Sequence, residues 1–103
     1  MAQLNTKLQI YAASDVNTST WTTITCQARE ARRVTVYNRE AGNALLIATD
    51  TDAATYSIAG GGSMSFELGD GINGASAFYT GDAMFALKAV TGISTQPTIV
   101  YQA

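Results

Sequence analysis

The chain has 103 residues, 47% of them hydrophobic and only 14% charged, with six basic and eight acidic side chains for a net charge of −2. That length suits one domain with one core, and the acidic balance argues against nucleic acid or an anionic membrane as the main partner, since both select basic surfaces. No histidine is present, which removes the usual general base for a serine or cysteine nucleophile and the commonest transition-metal ligand.

Taken in chain order, the dominant periodicity is two, in short bursts separated by Gly, Asn, Asp and Ser. This is the pattern of an antiparallel β-sandwich, jelly-roll-like or Ig-like, of seven or eight short strands. Residues 1–103 form a single domain, with 1–11 an N-terminal arm or strand. Residues 4–11 alternate Leu4, Leu8 and Ile10 against Asn5, Lys7 and Gln9, which predicts Leu8 and Ile10 inward and Tyr11 outward. A polar loop over 14–19 leads to a β-branched strand over 20–26. Residues 27–32 (QAREAR) are too short for a stable helix and link two strands.

Residues 33–38 place Val34 and Val36 on one face and Thr35 and Tyr37 on the other, before a turn through Gly42. In 44–49, Leu45 and Ile47 oppose Leu46. Two further strands, 55–58 and 63–68, flank three glycines, so the chain reverses at 60–62, with Met64, Phe66 and Leu68 pointing inward from there. After a Gly- and Asn-rich loop over 69–75, strands are expected over 77–80 and 84–90, the second with Phe85 and Leu87 opposite Met84 and Val90. Pro97 stands before a last strand over 98–101, where proline at a strand entrance is tolerated.

Candidate chemistry is sparse. Cys26 is alone and so forms no internal disulfide; as a lone thiol at the end of an alternating strand it packs as a small hydrophobe. This favours synthesis in a reducing cytoplasm, and no apolar run reaches the length of a membrane span. Asp50 and Asp52 stand at alternate loop positions that suit calcium, but they lack the glycine and bidentate glutamate of an EF-hand and read as turn residues. The glycines at 60–62 lack the Lys and following helix of a phosphate loop. No catalytic residue, cofactor or metal site is expected, and the chain reads as non-enzymatic.

The surface is more informative. A sandwich strand has one core-facing side, so the alternation leaves Tyr37, Leu46 and Met84 facing outward on a surface short of charge, where apolar patches usually mark contact with another chain. Four of the six basic residues, Arg29, Arg32, Arg33 and Arg39, fall in one short stretch. Arginine there suits contact with an acidic partner, because its planar fork binds carboxylates bidentately.

The segments RVTVYN (33–38), ALLIAT (44–49), SIAGGGSMSFEL (57–68) and AMFALKAVTG (83–92) together resemble the small β-sandwich proteins of tailed-phage virions, the capsid cement or decoration proteins and related head and tail modules. The resemblance covers residues 32–101, about two thirds of the chain. It implies a structural protein of the virion, made in the host cytoplasm, that binds across major capsid subunits, often as a homotrimer, and strengthens the shell. The residues expected at such contacts are Arg29, Arg32, Arg33 and Arg39 toward the shell and Tyr37, Leu46 and Met84 between subunits. Two alternatives stand beside it: a tail, baseplate or fibre-attachment module, and a carbohydrate-binding sandwich with Trp21, Tyr56 and Tyr79 as its aromatic platform.

Overall fold

The structure, a computed structural model, describes residues 8–48, 56–67 and 77–103. Among them are ten strands and no helix: β1 (Leu8–Ala12), β2 (Thr22–Thr25), β3 (Glu30–Ala31), β4 (Arg33–Tyr37), β5 (Leu45–Ala48), β6 (Tyr56–Ile58), β7 (Ser63–Glu67), β8 (Phe78–Tyr79), β9 (Ala83–Ala89) and β10 (Thr98–Gln102). Eight of them build two four-stranded antiparallel sheets, in the orders β1-β10-β4-β7 and β2-β9-β5-β6, while β3 and β8 pair with each other.

These orders define a jelly roll. The first strand of the chain pairs with the last, β2 with β9, β3 with β8, β4 with β7 and β5 with β6. Each rung of one long antiparallel ribbon is thus kept, and the ribbon is wrapped so that its rungs fall into two facing sheets. This settles the choice between the two sandwich types expected from the sequence. Because partners lie at opposite ends of the chain, almost every pairing is long-range.

The β-branched and aliphatic content of the strands supplies the core between the sheets. Val34, Val36, Ile99 and Tyr101 from the first sheet meet Leu45, Ile47, Phe85 and Leu87 from the second, all at most 5% exposed. Phe66 and Phe85 stack across the interior with ring centroids 5.6 Å apart. Cross-strand registers place Gln9, Tyr101, Val34 and Phe66 in one inward row and Tyr11, Ile99, Val36 and Met64 in the next.

That register corrects one expectation. Leu8, Ile10 and Ala12 lie in the outward rows, and Tyr11 falls in an inward row with its ring edge-on to Tyr101 at 5.6 Å, while still 37% exposed. Both phases of β1 carry apolar residues, so alternation alone did not choose between them; pairing with Ile99 and Tyr101 did. The 27–32 segment links β2 and β4 as expected, and it also contains the short strand β3. The expected turns at Asp50–Asp52 and over 69–75, and the inward position of Leu68, lie outside the described residues.

The reversal at 60–62 is present, with a twist of topology. Gly62 donates its N–H to the Ala59 carbonyl at 2.8 Å around Gly61, whose φ of 76° is one that side-chain-bearing residues seldom adopt. Yet β6 and β7 do not pair with each other: the turn carries the chain from one sheet to the other. The same device recurs at Gly81, φ 94°, where Asp82 donates to the Tyr79 carbonyl between β8 and β9.

Candidate functional site: an exposed sheet face

The outward rows of the β1-β10-β4-β7 sheet form an exposed face with a shallow depression of about 670 Å³. Leu8, Ile10 and Val100 supply its apolar floor, Tyr37 stands at one end, and Arg33 and Arg39 contribute the charge. Ile10 is 63% exposed, Leu8 and Tyr37 each 42%. Alternation puts them there. Val34 and Val36 are driven inward, which turns Arg33, Thr35 and Tyr37 out on the same strand, and β1 and β10 add their outward residues in register.

Polar pairs frame the floor. Thr35 and Ser65 share a hydroxyl hydrogen bond of 2.8 Å across β4 and β7. Arg33 Nε lies 3.2 Å from Glu67 Oε1 on those same strands. Arg39, by contrast, forms no ion pair among the described residues, so its guanidinium is available to a carboxylate brought by a partner.

The structure therefore gathers three of the seven expected contact residues, Arg33, Tyr37 and Arg39, on one face. It separates the others. Arg32 is exposed and 3.9 Å from Glu30 Oε1, and Arg29 is exposed in the link before β3. Leu46 is half-buried on the opposite sheet, on the face that also carries Lys88. Met84 is a correction: it is 8% exposed and part of the buried cluster, so it does not present the outward surface that alternation suggested. Leu8, Ile10 and Val100 were missed as surface groups, and the signal that finds them is the pairing of β1 with β10 rather than any local pattern.

The aromatic platform considered for sugar binding is not assembled. Trp21 and Tyr56 are 42% and 52% exposed, but Trp21 precedes β2 and Tyr56 lies on β6, at opposite edges of one sheet. Three strand spacings, about 14 Å, separate those edges. Tyr79 belongs to the β3–β8 pair.

Two other features are structural in character. Cys26 is 2% exposed; burial pushes its thiol pKa up, and Sγ donates to the Ala28 carbonyl at 3.4 Å. At the loop end of the sandwich, the Glu40 carboxylate accepts the backbone N–H groups of Ser94 and Thr95 and the Ser94 hydroxyl. Those amides, Thr95 and then Ser94, hold the carboxyl below its ordinary range. Asn38 completes the clasp, donating to the carbonyls of Asn43 and Ile58 and accepting the Glu40 N–H. Gln96 ties the same β9–β10 loop to Val16 through a reciprocal pair of 3.0 Å bonds.

A second, smaller cleft of about 220 Å³ lies where the β1 and β2 edges meet, floored by Ile99 and Tyr101. Its volume is below the ~300 Å³ at which small-molecule sites begin. Burial pushes the Tyr101 hydroxyl pKa up to about 12, so it titrates far from neutrality. Compared with family models, curated proteins and solved structures, the chain matches none.

Proposed function

We propose that this chain is a non-catalytic structural protein of a tailed-phage virion, a cement or decoration subunit that docks across major capsid subunits through the outer face of the β1-β10-β4-β7 sheet. The observation that carries this reading is that face itself: Leu8, Ile10 and Tyr37 lie open beside half-buried Val100 and beside Arg39, which has no ion-pair partner among the described residues. Apolar floor with arginine at the margin is the composition of a protein contact, where desolvated aliphatic and aromatic groups supply affinity and arginine supplies register. The resemblance of residues 32–101 to phage cement proteins supplies the kind of partner.

Fold alone does not separate the readings, because jelly rolls serve viral coats and carbohydrate-binding domains alike. The surface favours the docking reading. Sugar rings need flat aromatics side by side, and the exposed aromatics stand on different sheets and edges. The docking face measures roughly 19 by 17 Å in plan, from four strand spacings and five residues, well below the ~800 Å² per partner of a standard stable interface. Attachment then depends on several copies engaging together, so avidity rather than one strong contact holds the protein on the shell.

Protein composition of purified virions by mass spectrometry tests the class and the place at once. Hundreds of copies per particle, with particles lacking the protein losing DNA at milder heat and lower salt, support the cement reading. A dozen or fewer copies move the protein to the tail or baseplate, and absence from virions overturns the proposal.

A further inference from the structure

The two sheets have four edges, and three of them carry devices that discourage pairing with another strand. The described part of β6 is only three residues, β2 has a register shift between Ile24 and Thr25, and β7 carries the charged Glu67. Strand β1 has none of these. It is LQIYA, five residues without a charge, in unbroken register with β10 at every position.

The hydrogen-bond phase of β1 is set at its end. Ala13 donates its N–H to the Pro97 carbonyl at 2.9 Å. In an antiparallel ladder, alternate residues bond to the same neighbour, so Gln9 and Tyr11 direct their backbone groups to β10. The N–H and C=O groups of Leu8, Ile10 and Ala12 therefore point to the open edge, where among the described residues β1 has no second neighbour.

We propose that β1 pairs antiparallel with β1 of a second copy about a two-fold axis at Ile10. In that register the two Ile10 residues exchange both backbone bonds, and Leu8 of each copy does the same with Ala12 of the other, so all six open groups on each edge are satisfied. The strand is complementary to itself because it carries no charge to clash. A second copy also continues the apolar row, since Leu8 and Ile10 from both chains meet side by side on the outer face. Joining the edges turns two four-stranded sheets into one of eight strands and doubles the docking face. This pairing does not depend on the particle role, and a two-fold assembly differs from the trimer that the resemblance implies.

The test uses the full chain alone. Sedimentation over about a hundredfold range of concentration is expected to show a monomer–dimer equilibrium, and hydrogen exchange at the Leu8, Ile10 and Ala12 amides should slow about tenfold or more as the dimer fills. Ile10→Lys puts two like charges face to face at a position already 63% exposed, and Ile10→Pro removes an N–H that β10 does not use. Both variants should remain folded, with the Gln9 and Tyr11 amides still protected, and be monomeric where the wild type is paired. A wild type that stays monomeric throughout, a dimer whose β1 edge amides exchange as fast as in the monomer, or a dimer unaffected by either substitution overturns the proposal. Docking on particles is read separately, through Tyr37 and Arg39 two strands away, so either idea can fail alone.

Discussion

The inner and outer faces of strand β4 come from the same five residues and have opposite tasks. Val34 and Val36 are fully buried against the second sheet, while Tyr37 is 42% exposed and Thr35 makes a hydroxyl pair over a surface depression. One residue's displacement along the chain separates a group that holds the fold from a group free to meet a partner. Stability and binding are then separable in this molecule by parity alone, and substitutions should sort by the face they occupy.

The largest effect is expected on the inner face. Leu87→Ala, at a side chain with no exposed surface, should cost about 2–5 kcal/mol by lost burial and the cavity left behind, read as a fall in the urea midpoint. Next come the turns that move the chain between sheets. Gly61→Ala and Gly81→Ala each place a Cβ at positive φ and should cost about 1–2 kcal/mol, with the same readout; no loss at either position would show that the turns relax freely.

The clasp at Glu40 adds a pH arm. Its folded pKa is lowered, so its stabilisation is present above the unfolded carboxylate value, about 4.3, and is lost as pH falls from there through the lower folded value. Glu40→Gln should therefore flatten the acid limb of a stability–pH profile while changing little of the loop's packing. An unaltered acid limb in that variant would remove Glu40 from the account.

The smallest stability effects belong to the outer face. Thr35→Ala together with Ser65→Ala deletes one exposed cross-strand pair and should cost under about 1 kcal/mol. Tyr37→Ala and Arg39→Ala should shift stability by no more than about 0.5 kcal/mol yet weaken attachment to particles together by tenfold or more. If the outer-face pair proved as destabilising as Leu87→Ala, the division between the faces would be lost.

Much of this division was legible in residue order. Alternation in 33–37 named Val34 and Val36 as core and turned Tyr37 outward, because that strand has one apolar phase; in 45–48, apolar on both faces, it set Leu45 and Ile47 opposite Leu46, and the fold buries the first two. It failed where both phases are apolar: in β1, pairing with β10 rather than local pattern sent Leu8 and Ile10 to the surface and Tyr11 to Tyr101. In β9 it turned Met84 outward, whereas the folded chain buries it. The Glu40 clasp was invisible for a different reason. Its partners Ser94 and Thr95 lie more than fifty residues away, and only the wrapped ribbon brings them to the same end of the sandwich. Sequence reading set Arg33 and Arg39 toward one contact and Tyr37 toward another, and the shared parity of 33, 37 and 39 puts all three on one face, whereas the dispersal of Arg29, Arg32 and Leu46 depended on which sheet each strand joins.

Side-chain oxidation footprinting of the protein on and off purified particles tests the docking face most directly, because Tyr37, Trp21, Tyr56 and Tyr79 are exposed and report from different places. Tyr37 should become protected on the particle, together with Leu8 and Ile10, while Trp21, Tyr56 and Tyr79 keep the reactivity they have in the free protein. Protection of Trp21, Tyr56 or Tyr79 with Tyr37 left as reactive as before would contradict the assignment of the outer β1-β10-β4-β7 face.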